Sequence, residues 1–316
     1  MRILVFGAGV LGSYLAHVLV RGGNDVTVLA RGRRAEQLKK DGLVIRHYFQ
    51  RKTTVDKVKV IDALQTDDRY DLLFVVMKYN DFPSVLPMLA ENQTQNIVLV
   101  GNNADAHGMQ VVLQEKSIVE KNIIFGFQIS GGLREESGRI LCVRGGGQMV
   151  LGSLSGEVPI KPILDNAFKQ VKYKLIYHDD IDAWLLSHIV PIVALSSASY
   201  IYEGDSNKAF NDKKLVQQTI SVMDEGFQVL EELGYQVFPA GQVNLIRKHR
   251  MLVYYGLKAM YKLPFMKLID GSYGEIVALY ESFARLKQQV QRTTPNWDDL
   301  EQRTLSKFYA NPLASV

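Results

Sequence analysis

The chain has 316 residues, 47% hydrophobic and 22% charged, with 37 Lys and Arg against 33 Asp and Glu and a formal charge of +4. This excludes a disordered or fibrous chain. At roughly 100–200 residues per domain it predicts two domains, each large enough to fold without a disulfide or a structural metal. The single cysteine, Cys142, cannot make an internal disulfide or a cysteine-built zinc site, which fits a reducing compartment. The histidines are scattered without metal-ligand spacing, so no metal is expected. The basic excess is too weak to imply nucleic acid. The first residues enter a strand with no leader-like pattern, and the longest apolar runs, Leu72–Met77 and Ile189–Leu195, are short for a bilayer span. A cytoplasmic chain with no membrane or nucleic-acid partner is the expectation.

In chain order, Ile3–Phe6, Val26–Leu29, Leu72–Val76, Ile97–Val100 and Ile123–Phe127 are short aliphatic runs of the kind buried on both faces of a parallel sheet. Between the first two, Gly12–Arg21 places Leu15, Val18 and Leu19 on one helical face and stops at Gly22-Gly23. Repetition of this βαβ unit predicts an α/β Rossmann-like doubly wound sheet. Glycines crowd Ser130–Gly152, with strand-like Arg139–Arg144 and Gln148–Leu151 between them, and read as a hairpin on the sheet. Val158–Val171 reads as a helix and Lys174–Tyr177 as a last strand. Beyond Asp179 the spacing is helical throughout, over Ile181–Tyr202, Asp212–Leu233, Ala240–Lys262, Tyr273–Gln291 and Trp297–Tyr309. The expected division is a nucleotide-binding domain over residues 1–178 and a mainly α-helical domain over 179–316 that carries substrate and dimer contacts.

Directly after the first strand stands Gly7-Ala8-Gly9-Val10-Leu11-Gly12. In a G-x-G-x-x-G turn the first glycine allows the tight bend, the second lets backbone approach a pyrophosphate, and the third lets helix and strand pack closely. The helix N-terminus then faces the anion. A dinucleotide site selective for NAD usually offers an acid about 20 residues on, to hold the ribose 2′-hydroxyl. Here Arg31 follows the second strand, with Arg33 and Arg34 behind it. A guanidinium suits a 2′-phosphate, so NADP(H) is the expected cofactor. A solvated basic turn is the alternative for these arginines.

These residues, with Val76-Met77-Lys78 and Leu99-Val100-Gly101-Asn102-Asn103 at two further strand ends, resemble the ketopantoate reductase (2-dehydropantoate 2-reductase) family over nearly the whole chain. The resemblance implies a Rossmann domain joined to a helical domain. It implies that Lys78 and Asn102 hold the cofactor near its nicotinamide half, with Asn102 also facing substrate. Asn103 stands where the family has glycine. On the first long helix of the second domain the family carries a catalytic lysine in a Trp-x-Lys-like segment, with an asparagine one turn on. In the register of Trp184-Leu185-Leu186-Ser187-His188, His188 takes the place of the lysine and Ile192 that of the asparagine. An imidazolium could protonate the carbonyl oxygen; a hydrogen-bonded packing histidine is the other reading. In Asp270-Gly271-Ser272-Tyr273-Gly274-Glu275-Ile276, Glu275 is the candidate for the family's substrate-facing glutamate. It could equally be a helix N-terminal acid opposite the dipole, with Ser272 as N-cap.

The chemistry so implied is NADPH-dependent reduction of a small 2-oxo acid or related ketone, with His188, Asn102 and Glu275 at the reacting carbonyl. A non-catalytic NADP-binding sensor or regulatory protein is the alternative, since the family's catalytic positions are altered. An alcohol-oxidising β-hydroxyacid dehydrogenase ranks last, because Ile181–Tyr202 contains no lysine. The expected partner is a small-molecule carbonyl substrate, with a homodimer as the commonest assembly.

Overall fold

A computed structural model of the chain describes residues 1–143, 147–268 and 272–310. Its contacts separate two compact units: Met1–Gly101 with Asp105–Ile181, and Asn102–Ala104 with Asp182–Lys267 and the last two helices. The first unit runs β1 (Arg2–Phe6), α1 (Val10–Arg21), β2 (Asp25–Leu29), α2 (Gly32–Asp41), β3 (Leu43–His47), β4 (Lys52–Asp56), β5 (Lys59–Ile61), β6 (Leu72–Val76), α3 (Phe82–Glu91), β7 (Asn96–Val100), α4 (Ala106–Glu115), β8 (Asn122–Gln128), β9 (Gly131–Arg134), β10 (Ile140–Val143), β11 (Gly147–Gly152), α5 (Lys161–Phe168) and β12 (Tyr173–Tyr177).

Eight strands form one sheet in the order β12-β11-β8-β7-β6-β1-β2-β5, parallel throughout except where β11 meets β8. Helices cover both faces, which is why a strand such as β6 is aliphatic and buried at every position. The chain winds from β1 out to β2 and β5, then returns to lay β6 on the other side of β1. The strand order therefore reverses at β1, and the carboxyl ends of its strands open the crevice in which such sheets bind ligands.

The two strands expected to form a hairpin on the sheet, Arg139–Arg144 and Gln148–Leu151, do not pair with each other. β10 belongs to a separate four-stranded sheet, β4-β3-β10-β9, pairing antiparallel with β9 and parallel with β3. β11 instead enters the large sheet between β8 and β12. Local glycines mark where the chain turns, but the partner of each strand is chosen by packing between residues distant in sequence. Arg144, Gly145 and Gly146, which the strand and hairpin reading included, lie outside the described residues. The small sheet is tied to α1 through Asp56, whose buried carboxylate meets His17 Nδ1 at 2.5 Å and Arg21 Nε at 2.6 Å. Among the described residues no group of three or more His, Cys, Asp or Glu is placed to hold a metal.

The second unit is helical: α6 (Ile181–Ile201), α7 (Ser206–Ala209), α8 (Lys213–Glu232), α9 (Ala240–Lys248), α10 (Arg250–Tyr261), α11 (Tyr273–Lys287) and α12 (Pro295–Ala310). The single helix read over Ala240–Lys262 is broken at His249, whose backbone (φ −133°, ψ 46°) leaves the helical region. Hydrophobic spacing continues across so short a break and cannot reveal it. By length and composition α6 could cross a membrane, but 67% of its most apolar window is buried inside the protein, where that apolarity serves packing. Gly226 of α8 makes room for this packing: a Cβ there would lie 2.7 Å from the Trp297 ring and 2.8 Å from Val190 of α6. Trp297 is fully buried and stacks on Phe283 at 4.3 Å between centroids. The carboxylate of Glu225 receives the backbone N–H groups of Asn296 (3.2 Å) and Trp297 (2.8 Å), capping α12 from outside.

Candidate functional site

The turn from β1 into α1 is held by close contacts that only glycine permits. Gly7 has φ +118°, and a Cβ on it would sit 2.1 Å from the Val76 carbonyl oxygen. A Cβ on Gly12 would lie 1.8 Å from the Gly7 carbonyl oxygen, so α1 could not pack down on the strand end. Gly9 is different. A Cβ there would meet no protein atom within 4 Å, so what its bare backbone leaves accessible is approach from outside the fold. Gly9 is also the N-cap of α1, with no side-chain cap and no acid in the first turn. Val10 and Leu11 begin the helix, whose first amide donors remain for an anion. These features fit the diphosphate of a dinucleotide.

The three arginines after β2 take different positions. Arg31 is the N-cap residue of α2 and is exposed, its Nε donating only a long 3.4 Å bond to the Asp62 carbonyl. Arg33 is exposed and donates to the Glu136 carbonyl at 2.9 Å. Arg34 is buried, and donates to the Ala8 carbonyl (3.1 Å), the Gly138 carbonyl (2.6 Å) and Ser13 Oγ (2.9 Å). It braces the glycine turn from behind. Burial, with a smaller push from the guanidinium of Arg134, lowers its pKa to about 10, so it stays charged at neutral pH. Gly7, Ala8 and Gly9, with Phe6, Leu29 and Ala30, line a cleft of about 430 Å³ together with Arg31, Arg33, Arg34 and Arg134. Among the described residues no carboxylate lines it. The inward brace of Arg34 and the presence of Arg134 escape sequence reasoning, because one depends on helix rotation and the other arrives from β9, about a hundred residues downstream.

At the next strand ends, Lys78 is exposed and directly precedes a short 3-10 turn, Tyr79–Asp81. Asn102 and Glu275, distant in sequence, meet in the second unit, where Asn102 Nδ2 donates to Glu275 Oε1 at 3.2 Å. The other end of the same amide, Asn102 Oδ1, is buried and has no hydrogen-bond partner among the described residues. A buried acceptor left open in this way is costly unless a ligand completes it. Asn103 is buried at 3% exposure and is not among the positive-φ residues, so the exchange of glycine for asparagine there brings no left-handed strain. Ser272 is the N-cap of α11 but makes no side-chain cap bond, and Glu275, in the first turn, directs its carboxylate to Asn102. Asp270 and Gly271, the start of that segment, lie outside the described residues.

His188 lies on α6 and stacks face to face on Trp184, with centroids 5.0 Å apart and planes 8° from parallel. Its Nε2 is out of solvent, and burial pushes its pKa down to about 4. The ring is therefore neutral at pH 7. This differs from the imidazolium expected of a general acid: desolvation, which a sequence does not display, removes the charge.

A parallel sheet reversing at β1, with an uncapped helix behind a glycine turn and a helical unit following, is the build of a nicotinamide-nucleotide-dependent oxidoreductase. Residues 3–156 match the family model described as ketopantoate reductase PanE/ApbA. The chain is 24% identical over 246 residues to the 2-dehydropantoate 2-reductase of Archaeoglobus fulgidus, covering 78% of this chain and 79% of that one. In fold it is similar to the 2-dehydropantoate 2-reductase of Methylococcus capsulatus (TM-score 0.73, 19% identity, 100% and 98% of the two chains). It is likewise similar to a D-mandelate dehydrogenase solved with NADH and anilino(oxo)acetate (TM-score 0.76, 16% identity, 98% and 99%). Residues 3–156 thus carry a ketopantoate reductase PanE/ApbA domain, and the chain's similarity to these reductases supports an oxidoreductase that acts on a C=O/CH–OH pair.

Proposed function

We propose that this protein reduces a small 2-oxo acid or related ketone with NADPH. The observation that carries the choice of cofactor is the cleft beside the glycine turn, lined among the described residues by four arginines and by no carboxylate. An NAD-selective site offers an acid to the ribose hydroxyls, and a dianionic 2′-phosphate would be repelled by it. In this reading the amides behind Gly9 hold the diphosphate, Arg31 holds the 2′-phosphate, and the exposed Lys78 supplies a cation near the nicotinamide half. The open acceptor of Asn102 is suited to a donor such as a carboxamide N–H or a substrate hydroxyl, and Glu275 fixes the orientation of that amide.

When bound, the cofactor supplies a hydride to the carbonyl carbon. The protein's own part is to orient the carbonyl, exclude water and stabilise the oxygen on which negative charge develops. His188 is assigned to that oxygen by family resemblance, and as a neutral ring it acts there as a hydrogen-bond donor rather than as a stored proton. The test is a titration of the purified protein with NADPH and NADH, followed by an oxidation assay over a panel of 2-oxo acids including 2-dehydropantoate. Tighter NADPH binding, lost on Arg31→Ala, with turnover of at least one acid is expected. Equal or tighter NADH binding would overturn the cofactor assignment, and NADPH binding without turnover across the panel would overturn the reductase.

A further inference from the structure

The cofactor cleft holds one arginine that no feature of the fold explains. Arg134 stands at the end of β9 in the small sheet and is exposed, and among the described residues its side chain makes no hydrogen bond or ion pair. Its acidic neighbour is already taken, since both carboxylate oxygens of Glu135 accept from Arg139 at 2.8 Å. The other cleft arginines all have work within the protein: Arg34 is spent on three bonds that brace the turn, Arg33 is held by the Glu136 carbonyl, and Arg31 by a long contact to Asp62. Arg134 lines the same cleft as Arg34, and the two guanidiniums repel strongly enough to contribute to the lowered pKa of Arg34.

Two guanidiniums brought together without a carboxylate between them are a cost to the free protein that an anion of high charge would remove. Resting on the NADPH reading above, we propose that Arg134 is a cofactor-specificity residue: it reaches from the small sheet to the 2′-phosphate on the side opposite Arg31, so that the phosphate is gripped from two separate sheets. The reason is placement. Arg31 caps the helix that follows β2, whereas Arg134 comes with β9, and Arg33 and Gln37 of α2 both bond the Glu136 carbonyl in the β9–β10 turn, fixing the small sheet against α2. A phosphate beside Arg31 therefore has a second cation held in position by contacts that are independent of the ligand. Arg33 is the weaker candidate for this role, because its guanidinium already serves the turn.

The experiment compares the intact wild-type protein with Arg134→Met and Arg134→Lys, reading the dissociation constants of NADPH, NADH and adenosine 2′,5′-bisphosphate and the melting temperature without ligand. Loss of one charge-assisted contact predicts NADPH and the bisphosphate binding about ten- to a hundredfold more weakly to Arg134→Met. NADH affinity should change by less than about twofold, Arg134→Lys should recover part of the loss, and the melting temperature should be unchanged or higher because a repulsion is removed. Equal weakening of NADPH and NADH would place Arg134 on the diphosphate and overturn the proposal, as would unchanged NADPH affinity or a fall in melting temperature. If the wild type itself fails to prefer NADPH, the cofactor reading has failed. If it prefers NADPH and Arg134→Met does so equally, only the assignment of Arg134 has.

Discussion

Replacing Arg34 with methionine tests whether the glycine turn is braced from behind. Methionine approximates the length of the side chain while removing three donors, those to Ala8 (3.1 Å), Gly138 (2.6 Å) and Ser13 (2.9 Å). Each bond from a charged donor contributes about 1.5–3 kcal/mol net of water. Against them stands the cost of burying the guanidinium, which a pKa lowered from the ordinary arginine range to about 10 puts at about 3 kcal/mol. The balance leaves a loss of about 1.5–6 kcal/mol, with two backbone carbonyls deprived of partners. For a unit of this size that corresponds to a melting temperature lower by about 3–20 °C. Because the Ala8 carbonyl lies inside the turn, dinucleotide affinity should fall as well, although Arg34 need not touch the ligand. Thermal unfolding and a fluorescence titration with NADPH read the two effects. Arg34→Lys should recover little, since a point charge cannot serve three acceptors in a fork. A methionine variant as stable as wild type and within about twofold in affinity, or a lysine variant equal to arginine, would refute the brace.

His188 should make stability pH-dependent on the acid side. Its folded pKa of about 4 lies below the unfolded value near 6.5, so the unfolded chain takes up a proton that the folded chain refuses. Stability is then lost as pH falls from about 6.5 to 4, by up to about 3 kcal/mol, and urea unfolding of His188→Asn should show that much less acid sensitivity than wild type. An identical pH dependence in the two proteins would show that the ring is not desolvated. Gly226→Ala should cost about 1–3 kcal/mol despite the better helix propensity of alanine, because its Cβ would collide with Trp297 and Val190. A stabilised variant in chemical denaturation would contradict the packing.

The main sheet was legible in the sequence because its strands are buried on both faces: each aliphatic run from Ile3 to Phe127 became a parallel strand, since nothing but a continuous apolar surface satisfies that environment. The glycine turn was legible for a related reason. Gly7 and Gly12 are required by contacts within a single βαβ unit, close enough in sequence for spacing to encode them. The helices of the second unit followed from periodicity, but the break at His249 did not, because hydrophobic spacing survives one non-helical residue.

What distant residues do to one another needed the tertiary structure. Whether an arginine after β2 faces a ligand or the protein depends on the rotation of α2, and so Arg34 turned inward while Arg31 stayed outside. Arg134 reached the cleft only because β9 joined a second sheet, and the meeting of Asn102 with Glu275 spans most of the chain. The charge of His188 likewise was set by the surfaces packed around it. Sequence alone determined most of the elements and the glycine turn, which rest on local sterics and hydrophobic period; pairing, burial and protonation were decided by folding, because each depends on which distant groups exclude water from which.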